Sequence, residues 1–141
     1  MSKVFEEIET RAGEVTKYRR HSNGRGFVAS TATVDPTAYL ESTAYVEPGA
    51  HVAGRCWIGA GSWIDRDAAL APGVFVGANV HVGAGAVVGV GAEIGSNSRI
   101  GTEARIGPGA HITRDSTIAP NAVVASRPGA SRVPDHITRA A

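Results

Sequence analysis

The strongest constraint on the fold is a six-residue period that runs from Val28 to Val124. Every sixth residue along this stretch is Val, Ile or Leu, at all 17 positions. The residue two before each is Ala, Ser, Cys or Val, at all 16 positions from Ala32 to Ala122. Because side chains alternate along a strand, these two residues face one way and the residue between them faces the other. The period therefore predicts one short strand and one tight corner per six residues.

The corners carry their own signal within the same period. Five of the seven prolines lie two residues after an inward aliphatic: Pro36, Pro48, Pro72, Pro108 and Pro120. The next position is Gly, Asn or Asp in 11 of the 15 hexads between Thr37 and Asn121. These residue types suit a type II turn, whose second central residue has a positive φ. The glycines of Asn79–Gly95 belong to this pattern. Although their spacing is close to a nucleotide-binding G-x-G-x-x-G, no helix follows them, as that motif requires.

On these residues the sequence resembles the hexapeptide-repeat proteins, which fold as a left-handed parallel β-helix of triangular cross-section. The resemblance covers residues 27–126 and implies an all-β prism of nearly six coils, with 18 residues in each coil. Family members are usually homotrimers, so it also implies a homotrimer, with a larger protein assembly as a further partner. The opening from Ser22 to Leu40 resembles loop-free modules of structural or unassigned role in bacteria and phage.

Two segments lie outside the repeat. Residues 2–12 predict a short N-terminal helix, which Ser2 caps and Gly13 ends. Its apolar side would cover either the open end of the prism, which is the favoured position, or one of the faces. Residues 17–25 predict a solvated basic linker, and the Pro-containing tail predicts an irregular structure. The chain thus divides into residues 1–26, the β-helix at 27–126, and the tail at 127–141.

Composition excludes several classes of protein. The net charge of +1 gives no bulk attraction to nucleic acid, and no apolar run approaches the roughly 20 residues that cross a bilayer. The acidic N-terminus does not resemble a signal peptide, so we expect a cytoplasmic protein, or a virion component if the gene belongs to a phage. Cys56 is the single cysteine, and it falls on an inward small position, where a buried thiol is expected.

Every aromatic residue of the repeat region directly precedes an inward aliphatic and therefore points outward. Steps of 18 residues place Tyr39, Trp57 and Phe75 on one face, and Phe27, Tyr45 and Trp63, followed by His81 and Arg99, on a second. The third face carries Thr33, His51, Ala69, Val87, Arg105 and Val123. Contiguous apolar strips are usually covered by a partner subunit, the chain's own N-terminal segment, another protein or a ligand. We predict a subunit or partner interface at Phe27, Tyr39, Tyr45, Trp57, Trp63, Phe75, Ala69 and Val87.

The favoured function is non-catalytic: a rigid homotrimeric scaffold or protein-binding module, such as a virion decoration, fibre or assembly component. The six-residue period never breaks between Val28 and Val124, so no extended loop shapes a concave substrate site. On this hypothesis the protein has no catalytic residue and no cofactor.

The resemblance implies an alternative, an acyl-CoA-dependent O- or N-acyltransferase whose active site lies between subunits. In such enzymes an outward histidine is the general base, and His81, between Trp63 and Arg99, is the candidate here. The segment Val123–Val133, VVASRPGASRV, is similar to the closing segment that lies beside the CoA site in the family. Acetyl-CoA is the cosubstrate on this hypothesis.

A remote alternative is a zinc site like that of the γ-carbonic anhydrases, which need three ligands around one ion. That family places two histidines five residues apart. Here His21, His51, His81 and His111 are 30 apart and His136 follows by 25, so no pair has that spacing. The three histidines of the repeat fall on three different faces, and we expect no metal.

Overall fold

The computed structural model describes residues 5–9 and 15–126, which form strands and turns. Two longer strands, β1 (Phe5–Glu9) and β2 (Val15–Arg20), come first. Seventeen short strands follow: β3 (Phe27–Ala29), β4 (Thr33–Val34), β5 (Tyr39–Leu40), β6 (Tyr45–Val46), β7 (His51–Val52), β8 (Trp57–Ile58), β9 (Trp63–Ile64), β10 (Ala69–Leu70), β11 (Phe75–Val76), β12 (His81–Val82), β13 (Val87–Val88), β14 (Glu93–Ile94), β15 (Arg99–Ile100), β16 (Arg105–Ile106), β17 (His111–Ile112), β18 (Thr117–Ile118) and β19 (Val123–Val124). No helix in the described part of the chain is long and apolar enough to span a membrane.

The short strands stack into three parallel sheets. The first, here called the His81 face, has the order β3-β6-β9-β12-β15-β18. The Trp57 face has the order β5-β8-β11-β14-β17, and the third face has the order β4-β7-β10-β13-β16-β19. Each strand pairs with the strand 18 residues later, as in His81 with Arg99. This is the predicted left-handed parallel β-helix, and the three faces carry the residues that the sequence assigned to them.

The core is the stack of inward side chains. The aliphatics from Val28 to Ile112 are buried, and Leu40, Ile58 and Ile64 are fully so. Each such side chain contributes roughly 1.5–3 kcal/mol through burial. Cys56 lies among them as predicted: its thiol donates to the Ala71 carbonyl oxygen at 3.2 Å, and burial raises its pKa. In the last coil Ile118 and Val124 are only half-buried.

The corners confirm the turn prediction. Of the 15 positions from Thr37 to Asn121, 13 have a positive φ, including Arg55 and Glu103. The two exceptions are Thr37 and Thr43. At most corners the backbone N–H bonds a carbonyl oxygen of the previous coil, as Gly85 does with Arg66 at 2.9 Å.

At the two exceptional corners a hydroxyl takes the place of that carbonyl. Thr37 Oγ1 accepts from the Arg55 N–H at 2.9 Å, and Thr43 Oγ1 accepts from the Gly61 N–H at 2.9 Å. The side chain therefore satisfies the donor that the different turn leaves without its usual carbonyl partner.

The N-terminal helix prediction is wrong, because residues 5–9 form strand β1. This strand pairs antiparallel with β2, and β2 pairs antiparallel with β3, so the His81 face gains two strands. The reason is the edge of the prism: β3 would otherwise present unpaired backbone groups, and pairing with them outweighs a local helical pattern. The remaining residues of the predicted helix, 2–4 and 10–12, lie outside the described residues, as does the tail at 127–141.

The basic linker prediction for residues 17–25 is also wrong, since much of this segment is built into the fold. Tyr18 and His21 are buried, at 4% and 5% exposure. The loop after β2 covers the edge strand β5: Leu40 N–H donates to the Asn23 carbonyl, and Gly26 N–H donates to the Leu40 carbonyl, both at 3.0 Å. The N-terminal segment does cover the end of the prism, but as a hairpin with a loop.

Candidate active site

The candidate site is centred on His81, which points outward from β12. Parallel pairing places it between Trp63 of β9 and Arg99 of β15, as the sequence predicted. Because the inward neighbour Val82 is locked in the core, the backbone beneath the imidazole is rigid. Its position is therefore set by the repeat.

Asp65 binds the imidazole of His81 directly. His81 Nε2 lies 3.0 Å from Asp65 Oδ2, and the two side chains are 28% and 22% exposed. An ionised carboxylate only accepts hydrogen bonds, so Nε2 carries the proton and donates. In the neutral ring, Nδ1 then has a free lone pair, which is the state that a general base needs.

The imidazole also stacks on an aromatic ring. The centroids of Trp63 and His81 are 4.4 Å apart with an interplanar angle of 23°. The indole Nε1–H of Trp63 donates to Glu47 Oε2 at 2.7 Å, and Glu47 Oε1 accepts from the Tyr18 hydroxyl at 2.6 Å. A line of contacts therefore runs from the N-terminal hairpin to His81.

A shallow depression opens beside the histidine. It is lined by Gly61, Trp63, Asn79, Val80, His81, Asn97 and Arg99. No carboxylate lines it, and Arg99 is an exposed cation at its edge. The depression offers an apolar ring, two amides and a positive charge next to a histidine base.

The aromatic residues that the sequence selected form two separate groups. On the His81 face Phe27 and Tyr45 stack at 4.5 Å, and Tyr18 packs edge-on against both. The chain's own N-terminal strand therefore covers this part of the strip. On the Trp57 face Tyr39 and Trp57 stack at 4.2 Å, and Trp57 and Phe75 stay 46% and 43% exposed. Ala69 and Val87 lie paired on the third face, as predicted.

The other two histidines of the repeat are not part of this site. His51 is exposed on the third face, and His111 lies on the Trp57 face, 3.4 Å from Glu93. This separation matches the sequence prediction. Across residues 5–9 and 15–126, no three His, Cys, Asp or Glu side chains lie close enough together to hold a metal ion.

Three residues of this site were not predicted from the sequence: Asp65, Glu47 and Tyr18. Both acids directly follow an inward aliphatic, and each accepts from the outward ring 16 residues later: Glu47 from Trp63, and Asp65 from His81. Because one coil has 18 residues, a residue just after a strand lies beside the outward residue 16 positions later, in the next coil. A search for acid and ring at this offset would have included both pairs, together with Asp35–His51 and Glu41–Trp57, whose acids accept from Thr37 and Thr43 instead. Nothing in the period indicates Tyr18.

Comparison with known families identifies the chain at the level of its class. Residues 55–89 and 91–126, which make up half of the chain, match the family model for the bacterial transferase hexapeptide, six repeats. The chain belongs to this family. A comparison with curated proteins found no significant match.

Two solved structures give the fold further context. A histidine-to-asparagine mutant of perosamine N-acetyltransferase from Caulobacter crescentus, in complex with CoA and GDP-perosamine, superposes with a TM-score of 0.67 at 28% identity. The match covers 69% of this chain and 46% of that one. LpxA from Acinetobacter baumannii matches with a TM-score of 0.66 at 22% identity, over 70% of this chain and 46% of its own, and shows the fold alone. This chain thus corresponds to slightly less than half of each.

These findings favour the acyltransferase alternative over the non-catalytic scaffold, which was the favoured prediction from the sequence. The matched family is a transferase family, and the more similar of the two structures is an acetyltransferase with CoA bound. Nothing in the comparisons supports a phage or virion role.

Proposed function

We propose that this protein is an acyl-CoA-dependent acyltransferase with His81 as its general base. The observation that carries the proposal is the His81–Asp65 pair at 3.0 Å, half-buried on the Trp63 ring, in a chain of a transferase family. A base must be held in one tautomer with its other nitrogen open to substrate, and this pair provides both conditions.

The chemistry then follows from the two nitrogens of the imidazole. His81 Nδ1 accepts the proton of the acceptor's amino or hydroxyl group while that group attacks the thioester carbonyl of acyl-CoA. Asp65 stabilises the imidazolium through the Nε2–H bond. His81 then returns the proton to the departing CoA sulfur as the new amide or ester forms. The bond that breaks is the thioester C–S bond, and no oxidant or metal is required.

The lining of the depression supports a class of acceptor. Trp63 offers an apolar surface for a sugar ring, Asn79 and Asn97 offer amide hydrogen bonds, and Arg99 attracts an anion. We propose a nucleotide-linked amino sugar, the class to which the GDP-perosamine of the acetyltransferase relative belongs.

The depression is shallow, so the proposal includes a second wall from a neighbouring subunit of a homotrimer. The exposed strip of Trp57 and Phe75, together with Ala69 and Val87 on the third face, is the proposed contact surface. Trp63 and the half-covered Phe27 and Tyr45 belong to the same proposal on the His81 face. The segment Val123–Val133 is proposed to lie beside CoA; only residues 123–126 of it are described.

The test is acetyl transfer by the full chain. Acetyl-CoA is incubated with nucleotide-linked amino sugars, and free CoA thiol and acetylated product are quantified. His81→Gln should lower kcat by about 10²- to 10⁴-fold, because general-base catalysis is lost. His111→Gln is the matched control, since His111 occupies the same hexad position beside a carboxylate on another face. Equal rates for His81→Gln and wild type would contradict the proposal.

A non-catalytic homotrimeric scaffold is the second candidate, supported by the unbroken repeat and by the exposure of Trp57 and Phe75. A stable trimer that shows no saturable binding of acetyl-CoA by calorimetry would favour it. The location of the protein, cytoplasmic or in a virion, stays a prediction.

A further inference from the structure

Glu47 occupies the centre of the contacts between the N-terminal hairpin and the His81 face. Its two carboxylate oxygens have different partners: Oε1 takes the Tyr18 hydroxyl at 2.6 Å, and Oε2 takes the Trp63 indole N–H at 2.7 Å. Both are charge-assisted and short, which places them among the stronger hydrogen bonds of proteins. Glu47 itself is half-buried at the corner after β6.

The bond to Glu47 matters because it is the hydrogen bond of the Trp63 indole, whose neighbours on the adjacent strands are Tyr45 and His81. The side chain is 43% exposed, so packing alone restrains it less than it restrains a buried ring. The indole also stacks on the imidazole of His81, at a centroid distance of 4.4 Å. Glu47 holds one edge of the indole, so the indole presents a fixed face to His81.

The imidazole needs that face. The bond from Nε2 to Asp65 fixes one atom of His81, but the ring can still turn about that bond. A flat neighbour with an interplanar angle of 23° removes this second freedom. Together the hydrogen bond and the stack determine the direction in which Nδ1 points.

Tyr18 anchors Glu47 from the other side. Burial, and then the hydrogen bond and the charge of Glu47, raise the pKa of Tyr18, so its O–H stays a donor at ordinary pH. The ring is held edge-on by Tyr45, at a centroid distance of 5.5 Å and an angle of 86°. Tyr18 is therefore held both by its hydrogen bond to Glu47 and by ring packing on the sheet.

We propose that Glu47 is a positioning residue for His81, acting through the indole of Trp63 and anchored by Tyr18. Its effect on acyl transfer rests on the proposed function. The positioning itself is observable without turnover, so the two can fail separately.

The chain supplies a matched control in Glu41. Glu41 also follows an inward aliphatic and precedes a tryptophan, Trp57, by 16 residues. Its carboxylate instead accepts from Thr43, from the N–H at 3.2 Å and the hydroxyl at 3.3 Å. Substitution of Glu41 removes the same charge at the same hexad position without touching an indole.

The experiment is ¹⁵N NMR of the full chain with Glu47→Ala, Glu47→Gln and Glu41→Ala. The chain has two tryptophans, so two indole N–H signals are expected. In Glu47→Ala the Trp63 signal should move, its solvent exchange should quicken about tenfold or more, and the His81 imidazole signals should shift, while Trp57 stays in place. Glu47→Gln, whose amide oxygen still accepts from the indole, should restore most of the wild-type spectrum. Glu41→Ala should leave Trp63 and His81 unchanged.

Activity gives the second readout. Glu47→Ala should lower kcat about tenfold because the base is misdirected, and should raise the KM of the acceptor by a smaller factor because the freed Trp63 indole is also the proposed sugar surface; the KM of acetyl-CoA should stay nearly unchanged. Unshifted His81 signals in folded Glu47→Ala, or equal shifts in Glu41→Ala, would overturn the positioning role whatever the activity. Shifted signals in a protein that binds no acyl-CoA would uphold it and refute the proposed function.

Discussion

The His81 face and the Trp57 face carry the same kind of outward ladder and use it differently. Both begin with stacked aromatics and reach a histidine beside a carboxylate. On the His81 face the histidine and its acid are 28% and 22% exposed and 3.0 Å apart. On the Trp57 face His111 and Glu93 are 50% and 54% exposed and 3.4 Å apart. The outward side chains of the His81 face are therefore hydrogen-bonded and partly covered, whereas those of the Trp57 face are more exposed.

The difference arises at the residue after each inward aliphatic. On the His81 face this position holds Glu47 and Asp65, whose carboxylates reach the rings of the next coil. On the Trp57 face it holds Glu41, Gly59 and Gly77. Glu41 is followed by Ser42 and Thr43, whose donors capture its carboxylate, whereas Glu47 is followed by Pro48 and Gly49. Corner donors close in sequence therefore account for the difference between Glu41 and Glu47. Asp65 also accepts from a corner donor, the Arg66 N–H at 2.7 Å, but on Oδ1, and its Oδ2 still reaches His81.

The largest effect is expected at Asp65, whose carboxylate accepts the hydrogen bond of the proposed general base. Asp65→Asn should lower kcat about a hundredfold, because an amide cannot stabilise the imidazolium and can donate to Nε2, which moves the ring proton to Nδ1. Steady-state kinetics and the ¹⁵N shifts of His81 measure both effects. Glu93→Gln, the corresponding change beside His111, should leave the rate unchanged. A similar loss in both variants would erase the distinction between the faces.

The next prediction tests why the row of acids stops at Asp65. One coil later the equivalent residue is Gly83, where an added Cβ would lie 2.7 Å from the Ile100 carbonyl oxygen and 2.8 Å from the Gly101 carbonyl carbon. Gly83→Ala should lower the free energy of unfolding by about 1–3 kcal/mol in urea denaturation. Gly91→Asn is the control, because that corner is open and asparagine tolerates its φ of 68°. Unchanged stability in Gly83→Ala would mean that the backbone at Ile100 and Gly101 moves to make room for the methyl group.

A third, smaller effect separates assembly from folding. Trp57→Ser should weaken subunit association about tenfold in sedimentation equilibrium, while its Tm changes little, because the ring is half exposed. Trp63→Ser should also lower stability, by about 1 kcal/mol more, because it leaves Glu47 without one partner. Normal association in both variants would show that neither strip is an interface.

The smallest effect concerns the N-terminal cover of the Trp57 face. Burial, and then the neighbouring Arg19, hold the pKa of His21 below its ordinary value of 6.5, against the hydrogen bond to Ala38 and the charge of Asp35. The unfolded chain then binds the proton more tightly, so stability is full above about pH 6.5 and falls as the pH drops below it. His21→Gln, whose amide can still donate to the Ala38 carbonyl, should reduce the slope of melting temperature against pH between pH 7 and 5. An unchanged slope would show that His21 is not its source.

The sequence predicted the prism, its three faces, its corners and the placement of His81 between Trp63 and Arg99, because each follows from one period. It failed at the N-terminus, where Phe5–Glu9 pairs with β2 instead of forming a helix. There the deciding interaction is backbone pairing through β2 with the edge strand β3, and local helix propensity does not reflect such a tertiary interaction. Tyr18 was missed for the same reason. Asp65 and Glu47 could have been proposed from the sequence as partners of His81 and Trp63, since the length of the coil fixes their offset of 16 residues.

The half-burial of Ile118 and Val124 makes the two ends of the β-helix unequal in stability. Each coil contacts only its neighbours, so stability is close to a sum of adjacent interfaces. The first coil has the hairpin and its loop against it, while the inward side chains of the last coil remain partly open. Amide hydrogen exchange should therefore begin in the last coil and advance towards β3. His81 begins the fourth of nearly six coils, so exchange that starts at the far end must cross the last two coils before it reaches the candidate site.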